Sequence, residues 1–153
     1  MAKTIMSRTT AREIAMHFSF ELMHTGTNAQ EVMRQRFDAE YYPTLFEECD
    51  IYETLPDKRQ LEYITRTVLG LSEHAYELDT YIETYSKGWR FERISRTALA
   101  IMRLAMFEIL YSPDVPDAVA LNEAVELAKK YEEEQTVAFI NGILGSFLKG
   151  EKQ

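Results

Sequence analysis

Residues 114–148 read DVPDAVALNEAVELAKKYEEEQTVAFINGILGSFL, and this stretch decides the class of fold. Apolar side chains recur at helical spacing on both sides of a short acidic break, so two amphipathic helices meet there. The first is expected to bury Leu121, Ala124, Val125 and Ala128 and to expose Glu123, Glu126, Lys129 and Lys130. The second is expected to bury Ile140, Ile143, Leu144, Phe147 and Leu148. Asn122 and Asn141 stand inside these apolar stretches. A buried amide is stable only when partnered, so both are read first as structural asparagines tying helices together. An Asn-Gly pair ordinarily marks a hairpin turn, but helical spacing continues across Asn141 and Gly142. Gly142 and Gly145 are therefore expected to let a second helix approach closely.

The helical reading extends to the rest of the chain. Ten of the twelve residues at 99–110 are apolar, which leaves little polar face and places a helix over about 97–111 at the centre of the C-terminal half. Pro113 and Pro116 close it and open the next. Upstream, Leu61, Ile64, Val68, Leu71, Ala75, Leu78 and Ile82 alternate spacings of three and four, the pattern of one long helix capped by Asp57. Gly88 ends that region and marks the boundary between an N-terminal half, about 1–87, and a C-terminal half, about 88–153. A short helix or turn spans 89–94. Near the N-terminus, Ile14, Phe18 and Leu22 share a face of a helix over about 7–24, with Thr10 and Glu13 at capping-box spacing and Gly26 at its end. Asn28 and Glu31 repeat that spacing before a short helix fading near Phe37. Residues 38–56 carry Tyr41, Tyr42, Pro43 and many acids without a clear period, and read as a long loop with one helical turn.

Composition narrows the function classes. With 153 residues, 46% hydrophobic and 27% charged, the chain has the make-up of a folded protein with one core or two small ones. The single cysteine, Cys49, excludes an intramolecular disulfide and fits a reducing, cytoplasmic setting. Charges at Lys3, Arg8, Arg12 and Glu13 leave no secretion-type apolar run, and the stretch 99–110, about 18 Å long as a helix, is too short for a bilayer. The formal net charge is -8, but it is unevenly spread. Residues 1–12 hold Lys3, Arg8 and Arg12 with no acid, and 87–103 hold Lys87, Arg90, Arg93, Arg96 and Arg103 against Glu92 alone. Residues 38–62 hold eight acids against Lys58 and Arg59. Basic segments on an acidic body suit a local polyanion contact, although the solvated faces of helices are the commoner fate of such charge runs.

Catalytic chemistry finds little footing. Glu13, His17, Glu21 and His24 follow one helical face, and Glu21 with His24 forms a Glu-x-x-His unit, but a carboxylate-bridged metal site needs a second such unit and none is present. Cys49 lies among Glu47, Glu48 and Asp50, the reverse of the electropositive setting of a reactive thiol. Phosphate-binding glycine loops and nucleophile elbows are absent, so neither an enzyme, a metal nor a cofactor is expected.

The order VP, NEAVELAKKY, FINGILG resembles the C-terminal signature of the transcription antitermination factor NusB family. GWRFERISRTALAIMRLAMFEIL (88–110) and ITRTVLGLSEHAYELDTYI (64–82) resemble the segments preceding it, and the resemblance covers roughly residues 8–148. It implies an all-α fold of two small helical bundles packed across one another. It also implies a non-enzymatic protein that binds boxA-type RNA together with ribosomal protein NusE, in RNA polymerase antitermination complexes on ribosomal RNA operons. The RNA-binding residues it implies are Lys3, Arg8 and Arg12, with Thr9 and Thr10 standing where the family often has arginines. For the partner surface it implies Arg96, Arg103 and Glu108, although Ala98 and Leu99 replace a charged pair common in the family. Two alternatives stand beside this reading: a helical adaptor or homodimer with its RNA role weakened, and the NusB-like domain of certain ribosomal RNA cytosine methyltransferases, which the lack of a catalytic cysteine motif disfavours.

Overall fold

The computed structural model describes residues 5–25 and 28–152, and among them every regular element is a helix. The chain divides into two compact units, Met1–Ser72 and Glu73–Gln153. The division falls inside the stretch expected to be one long helix, well before Gly88. That stretch is two helices, α3 (Lys58–Glu73) and α4 (Ala75–Tyr85), separated by His74 at φ -101° and ψ 12°. One non-helical residue leaves the three-and-four spacing almost intact, so the hydrophobic pattern does not register the break. Its local cause is visible: the His74 ring stacks on Tyr111 at 4.2 Å and its Nδ1 meets Glu77 Oε2 at 3.1 Å.

The first unit is built on α1 (Arg8–Thr25), α2 (Ala29–Arg36) and α3. Helix α1 has the expected extent, but its cap is Ser7 and not Thr10: Ser7 Oγ accepts the Thr10 N–H at 3.0 Å. Gly26, expected to close α1, lies outside the described residues. The α2 cap is as expected: Asn28 Oδ1 accepts from the N–H groups of Gln30 at 2.9 Å and Glu31 at 3.2 Å. Asp57 caps α3 in the same way, accepting from Gln60 N at 2.9 Å.

Residues 38–56 are not a loop. Two 3₁₀ turns, Tyr42–Glu47 and Asp50–Tyr52, deliver Tyr42, Leu45, Ile51 and Tyr52 into the core beside Ile14, Phe18, Ile64 and Val68. Their rings form a lattice: Phe18 stacks on Tyr52 at 6.1 Å, Phe37 on Tyr42 at 5.6 Å, and Tyr42 meets Tyr52 edge-on at 5.9 Å. A 3₁₀ turn places residues three apart on one side, a period too short-lived to read in six residues. Burial pushes the Tyr42 phenol up to about 12, and raises Tyr52 further.

In the second unit α5 (Arg96–Tyr111) is central, packed against α4, α6 (Asp117–Tyr131) and α7 (Glu134–Lys152). Ser95 Oγ caps it through Ala98 N at 3.0 Å, and the run Ala98 to Met102 is buried without a gap. The acidic break between α6 and α7 falls at Glu132 and Glu133 as expected. Helix α6 buries Ala124 and Ala128 as expected, but Ala120 and Leu127 in place of Leu121 and Val125, which are half-buried; α7 buries Ile140, Ile143, Leu144 and Phe147, with Leu148 half-buried.

Two further expectations for these helices are corrected. Asn122 and Asn141 are both exposed, so neither is a buried tie; each sits on the solvent side of its helix, where water satisfies the amide. Gly142 and Gly145 make no close approach, since a Cβ on either would meet nothing within 4 Å. The close approach is at Gly150, where a Cβ would collide with the hydroxyl end of Tyr85, which hydrogen-bonds Glu151.

Candidate nucleic-acid interface

The residues singled out at the N-terminus separate into distinct roles. Lys3 lies outside the described residues. Arg8, in the first turn of α1, is half-buried: its Nε donates to Gln60 Oε1 at 2.8 Å and its guanidinium carbon lies 4.1 Å from the Tyr63 ring centroid. Neither partner is charged, and no carboxylate of the described residues pairs with Arg8. Its positive charge is positioned but not neutralised, which suits a phosphate contact. The platform is set by α3, whose Asp57 cap fixes the turn carrying Gln60 and Tyr63.

Arg12 is different. It is only 4% exposed, 5.7 Å from the same Tyr63 ring, so as placed it is a core residue and not a surface phosphate contact. One turn separates it from Arg8 along α1, but the face they share points inward, and only the residue at the end of the helix escapes burial.

The polar row on α1 is likewise dispersed. Glu13 is buried, His17 Nδ1 lies 3.2 Å from the Tyr52 hydroxyl, Glu21 pairs with Arg36 of α2, and His24 packs edge-on to Phe20 at 4.6 Å. Among the described residues no three His, Cys, Asp or Glu side chains converge as metal ligands.

The three residues expected at a partner surface also diverge. Arg96 is exposed at the start of α5. Arg103 is engaged within its own unit, donating from Nε and Nη2 to the two carboxylate oxygens of Asp79 at 2.6 and 2.5 Å. Glu108 is 1% exposed and cannot serve as a surface contact as placed, because α5 is covered on nearly every side. Position alone did not reveal Asp79 as the partner of Arg103, nor Gln60 and Tyr63 as the support of Arg8. A usable signal existed for Gln60, which follows Asp57 at capping-box spacing on a helix opening.

A further group of exposed cations lies in the second unit, where Lys87, Arg90, Arg93 and Arg96 flank the half-exposed Trp89. No helix of the described residues is long and apolar enough to cross a membrane.

Comparison with known proteins adds a family. The model of the NusB family matches residues 9–149. A transcription antitermination protein NusB of Clostridium tetani is 39% identical, over 94% of this chain and 99% of its own. The structure of T. maritima NusB superposes with a TM-score of 0.76 at 27% identity, covering 97% of this chain and 93% of that one. A crystal structure of antitermination factors NusB and NusE in complex with dsRNA shares the fold, with a TM-score of 0.74 at 23% identity over 94% of this chain and 96% of that one.

Proposed function

The chain belongs to the NusB family of non-enzymatic transcription antitermination factors, and we propose that it binds boxA-type RNA together with ribosomal protein NusE, supporting processive transcription of ribosomal RNA operons. On this reading it works in the cytoplasm, within the RNA polymerase antitermination complex. The observation that carries the RNA part is Arg8: a guanidinium oriented by Gln60 and Tyr63 and left without a carboxylate, at the end of the helix that opens the first unit. With Arg12 buried and threonines at positions 9 and 10, the free protein presents few cations there, so NusE is expected to supply further contacts.

The test is titration of a boxA-containing single-stranded RNA with and without NusE over a range of salt. Binding should be weak alone and tighter with NusE, and Arg8→Ala should weaken it and reduce the salt slope by about 0.7, the change expected when one phosphate pairing is removed. Wild-type affinity and slope in Arg8→Ala would remove Arg8 from the interface. No binding even with NusE would leave the adaptor reading in its place.

A further inference from the structure

We infer that residues 86–95 form a second single-stranded RNA contact, in which Trp89 stacks on a base while Arg90 and Arg93 hold the adjoining phosphates; this rests on the RNA-binding reading above. The segment is ordered by its own hydrogen bonds. Ser86 O accepts from Trp89 N at 3.0 Å, Arg90 O from Arg93 N at 3.0 Å and Phe91 O from Ile94 N at 3.1 Å. Gly88 makes the turn possible at φ +87°, a conformation that other residues rarely adopt. Ser86, 4% exposed, anchors one end, and at the other Ile94 is buried while Ser95 caps α5 and donates to Glu132 Oε1 at 2.7 Å.

This frame holds out a mixture of groups that a folded protein does not need on its surface. Trp89 rests on Phe139 at 4.4 Å with the planes tilted by 50°, and is still 51% exposed. Arg90 precedes and Arg93 ends the 3₁₀ turn Phe91–Arg93, and the bond from Arg93 N to Arg90 O holds the two one turn apart. They are exposed along with Lys87 and Arg96, and none of the four is ion-paired with a carboxylate among the described residues. The one acid within the segment is the exposed Glu92; Glu132, held by Ser95, begins an acidic run that continues with the exposed Glu133 and Glu134. Within residues 87–96, four cations against one acid, interleaved with an open indole, match the chemistry of a single strand: phosphates at short intervals and unpaired bases with open π faces. A duplex would satisfy the cations but offer no base to the indole, and an acidic protein would likewise leave Trp89 unused.

Trp89 is the only tryptophan of the chain, so its fluorescence reports this contact directly. The experiment adds the boxA-containing single-stranded RNA to the full chain with NusE, following indole emission against the Trp89→Phe protein as blank, and affinity against salt for Arg90→Ala/Arg93→Ala and for Arg8→Ala. Saturable quenching is expected, with the double variant reducing the salt slope by about 1.4 while keeping its helical circular dichroism. Trp89→Leu should bind roughly tenfold more weakly, the scale of removing one base stack. If the RNA binds and Arg8→Ala impairs it, yet emission is unmoved and the double variant binds like wild type, this second contact is refuted and the RNA-binding reading stands. If the wild-type protein binds no RNA even with NusE, both fall.

Discussion

Arg103 of α5 and Asp79 of α4 form a two-pronged ion pair, Nε to Oδ1 at 2.6 Å and Nη2 to Oδ2 at 2.5 Å, with side chains 14% and 24% exposed. Matching two parallel N–H donors to both carboxylate oxygens fixes the relative rotation of the two helices. Removing one member leaves a charge in a partly dry setting. Asp79→Ala and Arg103→Ala should each cost about 2–3 kcal/mol in urea unfolding, while the double variant should cost clearly less than their sum. Additive losses would show that the two side chains do not depend on one another.

Arg8 and Arg12 should part company under substitution. Arg12→Ala is expected to lower stability by roughly 1–3 kcal/mol, the range for deleting a buried side chain from its packing, and to lower the melting temperature accordingly. Arg8→Ala should move stability by much less and act on RNA affinity. Thermal denaturation of the two variants side by side decides this; a thermally silent Arg12→Ala would contradict its burial.

Alkaline pH should destabilise the first unit. Tyr42, 2% exposed, keeps its proton in the folded state up to about pH 12, whereas an unfolded tyrosine releases it near 10. Between those values the folded chain binds more protons than the unfolded one, so the associated stability, up to about 3 kcal/mol, is complete below pH 10 and is lost as pH rises towards 12. Tyr42→Phe removes this dependence and also the hydrogen bond from Tyr42 to Thr54 O at 3.0 Å. The stability gap between wild type and variant, measured by urea unfolding at several pH values, should therefore narrow above pH 10. A gap that is constant with pH would show that Tyr42 does not titrate with unfolding.

The start of α1 offers a sharper local check. Ser7→Ala removes the acceptor for Thr10 N and should cost about 1 kcal/mol, as should Asn28→Ala at α2. Thr10→Ala should cost less, because its hydroxyl is bonded to Ser7 and caps nothing. The reverse ranking would move the first turn of α1 three residues onward.

Helical periodicity was legible wherever a helix was long and one-sided. Most of the buried face of α7, the Asp57 and Asn28 caps and the nearly unbroken burial of α5 follow from spacing and composition, whereas the face of α6 was read only in part. What stayed hidden depends on partners distant in sequence. The break at His74 owes its local contacts in part to Tyr111, 37 positions away in the chain (111 − 74 = 37). The 3₁₀ turns at 42–52 owe their burial to rings supplied by Phe18 and Phe37. At the candidate interface, residue type pointed to arginine, but whether an arginine faced water or the core was set by Tyr63, Gln60 and Asp79, none of which periodicity marks as special. Asn122 and Asn141 misled for the same reason: an amide amid apolar neighbours on the sequence can still fall on the wet side of the helix.

The glycines of α7 separate into two kinds, and that gives a handle for engineering. Gly142 and Gly145 are helical positions where a methyl group would meet open space, so alanine there trades backbone freedom for helix propensity without a steric penalty. Each replacement should add roughly 0.5–1 kcal/mol, read as a higher urea midpoint with unchanged slope. Gly150→Ala, by contrast, must displace the Tyr85 ring and with it the hydrogen bond to Glu151. A hardened version of this protein is therefore within reach by filling two of these glycines and sparing the third, with the surfaces proposed to meet RNA left untouched.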